Sequence, residues 1–159
     1  MADDLSFRLA VIAEKQALED LQWRASLMWG EDRDALLANP DAIELPDDHI
    51  TGGRTIVAET ASKTLGFAVV LLGHGGAAEL DGLFVEPSAW RGGIGRSLIV
   101  QAAKLASAEG AQAIQVIANP RARDFYRACG FVQIGEAATR FGTGLRMRKA
   151  LSDRPRPVA

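Results

Sequence analysis

Apolar and polar positions change their period several times along the chain, and those changes divide it into elements. Leu5-Ser6-Phe7-Arg8-Leu9-Ala10 alternates and predicts a first strand. From Ala13 to Met28 the apolar positions Ala17, Leu18, Leu21, Ala25 and Met28 recur at the helical period, which predicts an amphipathic helix with Trp23 and Leu27 off its buried face. Gly30 is expected to end that helix. Asp32 is the expected N-cap of a short helix through Leu36 and Leu37, closed by Asn39-Pro40. Residues 41–53, with Pro46, His49 and Gly52-Gly53, read as a loop holding at most one helical turn, suited to a mobile wall over a site.

The centre of the chain switches to period two. Arg54–Glu59 and Leu65–Leu72 predict a hairpin, and Ala77–Val85 a third strand reached through the tight turn that contains His74. Pro87 stops that strand. A helix from about Gly93 to Glu109 follows, with Ile94, Leu98, Ala102, Leu105 and Ala106 inward and Gly110 just past its end. Ala113–Ala118 is the next strand, reached through a helix and so expected to be parallel to the previous one. Arg121–Ala128 predicts a short helix, and Phe131–Ile134 and Leu145–Leu151 predict closing strands. The fold class is therefore mixed α+β. One domain is expected over residues 1–151, with a disordered tail over 152–159 that contains Pro155 and Pro157.

Composition narrows the function. At 159 residues the chain can build a core without staples, and its lone cysteine, Cys129, allows no intramolecular disulfide. A reducing, cytoplasmic setting is expected. No apolar run is long enough to span a bilayer, and His49, His74 and Cys129 lie too far apart in sequence to suggest a metal site. Residues 1–50 carry 12 acidic and 4 basic side chains, the rest 8 acidic and 14 basic. That asymmetry fits a basic half facing an anionic cofactor and an acidic half facing a cationic acceptor, or simply two solvated surfaces. No basic run interleaved with aromatics is present, so nucleic acid is not the expected partner.

The stretch Leu83-Phe84-Val85-Glu86-Pro87 followed by Arg91-Gly92-Gly93-Ile94-Gly95-Arg96 is a strand, a stop, a glycine-rich loop and a helix start. Backbone N–H groups of such a loop, at the positive end of a helix dipole, suit a phosphate or pyrophosphate. No Gly-Lys-Ser/Thr follows, so it is not a Walker A sequence. The Gly-x-Gly is followed by Arg-Ser-Leu after a hairpin meander, so it is not a dinucleotide-binding fingerprint. Arg91 and Arg96 could add charge-assisted bonds. Taken alone, the loop is also what an ordinary strand-to-helix connector looks like.

A second element follows the next strand: Asn119-x-x-Ala122-x-x-Phe125-Tyr126-x-x-x-Gly130-Phe131. With Leu83-Phe84-Val85-x-Pro87 and Gly93-Ile94-Gly95-Arg96-x-Leu98, in this order and spacing, the chain resembles the GNAT superfamily of acetyl-CoA-dependent N-acetyltransferases over nearly its whole length. One position departs from the pattern: Trp90 stands where the family usually has Gln or Arg. The resemblance implies a GNAT fold, a central mixed, mostly antiparallel twisted sheet with helices on both faces. It implies that the backbone of Leu83, Phe84 and Val85 pairs with the pantetheine arm of acetyl-CoA. The amides of Arg91, Gly92, Gly93, Ile94, Gly95 and Arg96 would hold the pyrophosphate. Asn119 would bond the cofactor arm and Phe125 would pack along it. Tyr126 would be general acid to the leaving thiolate, and the Val85 N–H the oxyanion donor. No metal is implied, and a homodimer is left open.

The residues themselves agree with parts of this. A phenol of pKa about 10 can protonate a thiolate. An acceptor amine is almost wholly protonated at neutral pH, so a base is needed. Glu79 and Asp81 share a strand face and are the candidates, with Asp81 favoured because similar enzymes often carry an acidic residue there. Cys129 lies at a helix C-terminus, where the dipole disfavours thiolate, so direct attack without an acyl-enzyme is expected. Asp20, Glu31, Asp32, Asp34, Asp41, Glu44, Asp47 and Asp48, with Trp23 and Trp29, suggest a cationic small-molecule or peptide amine. The rival reading is a non-catalytic acyl-CoA-binding sensor on the same fold. A third is a protein that binds a different nucleotide.

Overall fold

The alternating start of the chain folds as β1, Ser6–Leu9, one residue shorter at each end than its pattern predicts. A computed structural model describes residues 4–28, 30–61, 63–73, 75–140 and 142–151, with the backbone alone at 30–32. The expected tail at 152–159 lies outside the described residues, as do Trp29 and His74. The first helix enters as a 3-10 turn, Ile12–Glu14, and continues as α1, Lys15–Leu27. The turn is closed by Glu14, whose carboxylate accepts the Val11 N–H at 2.9 Å. Leu18, Leu21 and Ala25 are buried as the period predicts, but Ala17 and Met28 are exposed, so the packed stripe is narrower than expected. Gly30 does not terminate α1. The helix ends at Leu27, its last turn tightened by Met28 N–H to Ala25 O at 3.3 Å. Gly30 instead begins α2, Gly30–Ala38, which places Asp32 inside the first turn rather than at the cap.

Residues 40–53 contain a 3-10 turn, Pro40–Ala42, and α3, Asp47–Thr51. This stretch is tied to α1 at two points. Glu19 accepts the Leu45 N–H at 2.8 Å, and Lys15 donates to Asp47 at 2.7 Å. The expected wall is thus an anchored one.

The meander follows as β2, Thr55–Glu59, β3, Thr64–Leu72, and β4, Ala77–Val85. After it come α4, Ile94–Ala108, β5, Ala113–Ala118, and a 3-10 turn, Pro120–Ala122, leading into α5, Arg123–Ala128. The closing hairpin, β6, Val132–Thr139, and β7, Gly142–Ala150, is longer than its alternation predicts. A register shift between Gln133 and Gly135 breaks that alternation at Ile134, and both Ile134 and Val132, which pairs with exposed Arg148, are exposed. The strands form one mixed sheet in the order β1-β2-β3-β4-β5-β7-β6. Pairing is antiparallel for β1–β2, β2–β3, β5–β7 and β6–β7, and parallel for β4–β5, as the intervening helix requires.

Two compact units make up the chain: Met1–Val69 with Gly82–Gln101, and Val70–Asp81 with Ala102–Ala159. In the first, Leu18, Leu21, Val57, Phe67, Leu98 and Ile99 are fully enclosed. Arg8 locks its edge by donating to both Glu14 oxygens (2.8 and 2.7 Å) and both Glu59 oxygens (2.9 and 3.0 Å). In the second, Val70, Ala78, Leu80, Ala106, Ile114 and Met147 form the core. No helix among the described residues is long and apolar enough to cross a membrane.

Candidate functional site

In the first unit the sequence-predicted residues sit at the end of β4 and in the loop behind it. Two contacts with β3 orient that strand end. A Cβ on Gly66 would lie 2.7 Å from the Phe84 carbonyl oxygen, so that carbonyl faces β3. The Glu86 N–H donates to Leu65 O at 2.8 Å on the same side. Backbone groups alternate between the two edges of a strand, so those of Leu83 and Val85 face the edge away from β3. The β4–β5 ladder runs from Ala77↔Ala113 to Glu79↔Gln115, short of Leu83. The Phe84 ring packs on Phe67 at a centroid distance of 5.3 Å.

The chain then makes a 3-10 turn, Pro87–Ala89, and enters the loop. Arg91 and Gly93 both hold left-handed backbones, with φ of 73° and 79°. This is costly for Arg91 and free for Gly93, where an added Cβ would meet nothing within 4 Å. The Ser97 N–H donates to Gly93 O at 3.0 Å and closes the first turn of α4. The amides of Ile94, Gly95 and Arg96 precede that bond and belong to the set a helix start leaves for an outside acceptor. Arg91 and Arg96 are exposed beside them. Turn, left-handed residues and helix start together have the backbone form on which an anion can be held.

Two side chains brace this region, and sequence reasoning did not assign either brace. Arg24 of α1 grips Glu86 with two bonds, Nε to Oε1 at 2.9 Å and Nη2 to Oε2 at 2.7 Å. The guanidinium holds the Glu86 carboxyl below its ordinary range, against a smaller opposing effect of burial. Trp90 donates from Nε1 to the Val85 carbonyl at 2.8 Å. The partners lie 62 residues apart in the first case, and the second is an indole reaching back to main chain; neither spacing is a recognisable signal.

In the second unit, Asn119, Phe125 and Tyr126 cluster around α5. The Asn119 side chain accepts the Arg121 N–H at 2.9 Å and caps the 3-10 turn. Phe125 is exposed while Tyr126 is buried, one residue on along a short helix. The Tyr126 ring meets Phe125 edge-on at 5.1 Å and Phe131 at 5.4 Å. Burial drives its hydroxyl to hold its proton well above the ordinary tyrosine range, with Cys129 adding to the effect.

Glu79 and Asp81 share one face of β4, and Ala78 and Leu80 are buried on the other. Parity puts Gln115, Ile117, Arg146 and Arg148 on the face of the carboxylates, through Glu79↔Gln115, Gln115↔Arg148 and Ile117↔Arg146. Glu79 is half-buried and Asp81 exposed. Burial raises the Glu79 pKa, Arg146 pulls it back down and Asp81 pushes it up again. Arg146 escaped the sequence reading, although its alternation with buried Leu145 and Met147 places it on that face.

Of the acidic residues on α1 to α3, Asp47 is engaged by Lys15 and Asp20 accepts from Gln16 at 2.9 Å. Asp34, Glu44 and Asp48 are exposed, and Trp23 is half-buried.

A family model described as "Acetyltransferase (GNAT) family" matches residues 15–131. No curated protein sequence matches the chain. Among solved structures, the chain is similar to the PaiA N-acetyltransferase of Thermoplasma acidophilum in complex with coenzyme A: TM-score 0.75, 18% identity, 92% of this chain and 99% of that one. It is also similar to a GCN5-related N-acetyltransferase of Rhodopseudomonas palustris, with TM-score 0.76, 21% identity, and 95% and 99% coverage. A third is the ribosomal-protein-S18-alanine N-acetyltransferase of Escherichia coli, with TM-score 0.69, 16% identity, and 98% and 99% coverage. At these identities the likeness to solved structures is one of fold.

Proposed function

The chain belongs to the acetyltransferase (GNAT) family, and from that membership we propose that it transfers the acetyl group of acetyl-CoA to a primary amine by direct attack. The observation that carries this reading is the continuity of two binding devices. The edge of Leu83–Val85 that faces away from β3 offers backbone groups to an amide-bearing arm, and the chain leads from it through one 3-10 turn, Pro87–Ala89, to the anion cradle at residues 91–96. Coenzyme A has that order of chemistry: amides, then pyrophosphate. By the family resemblance, Asn119 and Phe125 are assigned contacts with the same arm.

In the proposed reaction the amine is an ammonium on arrival. Glu79 takes its first proton in place of Asp81, the base favoured from the sequence, because Glu79 is half-buried with its proton affinity raised by that burial while Asp81 is exposed. The freed lone pair attacks the thioester carbonyl, and the Val85 N–H stabilises the oxyanion. Collapse breaks the C–S bond, and the thiolate takes a proton from Tyr126. The nitrogen loses its second proton as the amide forms, so the balance is amide, free thiol and one proton released. The acceptor is a cationic small-molecule or peptide amine, a class supported by the exposed carboxylates Asp34, Glu44 and Asp48.

The test is coenzyme A release from acetyl-CoA across amines, amino acids, peptides and antibiotics. The panel is chosen by a thermal-shift screen in the presence of coenzyme A, since ligands of the folded state raise its midpoint. Release with at least one amine supports the reading. Tight acetyl-CoA binding without turnover on any amine favours the sensor, and no binding of acetyl-CoA overturns both.

A further inference from the structure

Trp90 lies five residues beyond Val85 and turns back to it. Its indole is 39% exposed, yet its Nε1 makes a directed 2.8 Å bond to the Val85 carbonyl. The peptide that follows Val85 is therefore held at both poles. Its carbonyl is taken by Trp90, and its N–H, that of Glu86, donates to Leu65 O at 2.8 Å. A trans peptide points these two groups in opposite directions, which puts the Val85 carbonyl, and the indole on it, at the edge of β4 away from β3. The Glu86 side chain is fixed in turn by the paired bonds from Arg24. Nothing in this peptide plane is left to rotate.

The consequence is a change in what the strand edge offers. A residue in an extended strand presents its own N–H and C=O to the same edge. Leu83 thus offers both a donor and an acceptor there. Val85 offers its donor, while its acceptor already holds the Trp90 indole N–H on that edge. An open Val85 carbonyl would draw an amide N–H of the incoming arm and let it slide further along the edge. It would also set a partial negative charge beside the point where an oxyanion forms.

We propose that Trp90 is a positioning residue: its indole ends the pairing track for the cofactor arm at Val85 and holds the Val85 N–H as a dedicated donor to the thioester carbonyl. The inference rests on the acetyltransferase reading above and concerns how that site is aimed. It also gives a physical role to the one position where the chain departs from the usual Gln or Arg. Trp90 acts on the protein's own main chain.

The test is Trp90→Phe, which keeps an aromatic ring and removes the donor. Turnover and the Michaelis constant for acetyl-CoA are measured by coenzyme A release, and coenzyme A affinity by calorimetry. Losing an oxyanion donor outright costs about a hundred-fold or more in kcat; misaiming one is expected to cost on the order of ten-fold. The Michaelis constant and coenzyme A affinity should stay close to wild type, because the Leu83 groups and the cradle are untouched. The bond itself is read from the Trp90 indole N–H resonance, identified by its loss in Trp90→Phe, which should exchange slowly with solvent despite the ring's exposure. Unchanged kcat, an equal loss in kcat and cofactor affinity, or fast indole exchange each overturn the inference. Wild-type turnover with an unaffected variant leaves the acetyltransferase reading standing, whereas a wild-type chain that binds no coenzyme A shows that the reading itself has failed.

Discussion

Lys149 donates from Nζ to the main-chain carbonyl of Cys129 at 2.7 Å, closing the end of the helix that carries Tyr126. The same helix end is bound from within, since the Tyr126 carbonyl accepts the N–H groups of Cys129 and Phe131, each at 3.0 Å. Gly130 makes this possible. Its φ is +97°, and a Cβ there would lie 2.5 Å from the Lys149 Nζ.

Gly130→Ala should therefore lower stability by about 1–2 kcal/mol, from left-handed strain together with displacement of the ammonium. Lys149→Met should cost about 1 kcal/mol through the lost bond to Cys129. The two should be non-additive, because Gly130→Ala in a Lys149→Met background retains only the backbone strain. Urea unfolding of the four proteins measures this. Strict additivity would show that the Cβ–ammonium conflict contributes nothing.

Tyr126→Phe should lower kcat while coenzyme A affinity stays near wild type, because the edge-on contacts with Phe125 and Phe131 survive loss of the hydroxyl. The alkaline behaviour of the parent enzyme carries the same information. Burial holds the Tyr126 proton above the ordinary tyrosine value of about 10, so the donor stays neutral and competent through that range. The pH–kcat profile should show no descending limb from a tyrosine up to about pH 10. Unchanged turnover in Tyr126→Phe would remove the residue from the chemistry.

The acid side of the profile tests Glu79. A base must be ionised to act, and the Glu79 pKa is raised, so the ascending limb of kcat/KM should sit above the ordinary glutamate range of about 4.3. Arg146 lowers this pKa and Asp81 raises it. Arg146→Met should therefore shift the limb to higher pH and Asp81→Asn to lower pH. Glu79→Gln should abolish the limb along with most of the turnover. A limb that moves with Asp81→Asn in the opposite direction would exclude Glu79 as its source.

The sequence made legible what depends on neighbours along the chain. β4 and β5 begin and end where Pro87, Gly76 and Asn119-Pro120 say they should, and the parallel sense of β5 followed from the helix before it. In the loop before α4, Gly93 signalled a left-handed backbone, whereas the left-handed Arg91 carried no such signal. Elements whose limits are set by pairing were less legible. β6 and β7 extend through Gly135, Ala137, Ala138 and Gly144, residues with weak strand preference that are held by each other's ladder. Gly144 is there because a Cβ would lie 2.6 Å from the Ile117 side chain, a long-range fact. Gly30 was misread because the chain re-enters a helix at once, which local composition does not reveal. In the candidate site, the residues proposed to bear the chemistry stand in recognisable motifs. Arg24 on Glu86, Arg146 near Glu79 and Lys149 on Cys129 do not, since long side chains meeting across the fold leave no spacing to recognise.

The cradle itself can be probed at its two left-handed residues. Gly93→Ala places a Cβ in open space but at φ +79°, so its cost is conformational, about 1 kcal/mol of stability, and not steric. Because that strain is relieved by opening the turn that presents the amides of residues 94–96, coenzyme A affinity should fall together with stability. Arg91 separates shape from charge. Arg91→Gly removes the guanidinium but relaxes the φ of +73°, whereas Arg91→Ala removes the charge and keeps the strain. Both should weaken coenzyme A binding by a similar factor if the charge contacts phosphate. In thermal or urea unfolding without ligand, Arg91→Gly should be the more stable of the two, by up to about 1 kcal/mol after the extra freedom of glycine in the unfolded chain is offset. Coenzyme A affinities that are unchanged in both Arg91 variants, with a clear loss in Gly93→Ala, would assign the grip to the backbone amides alone.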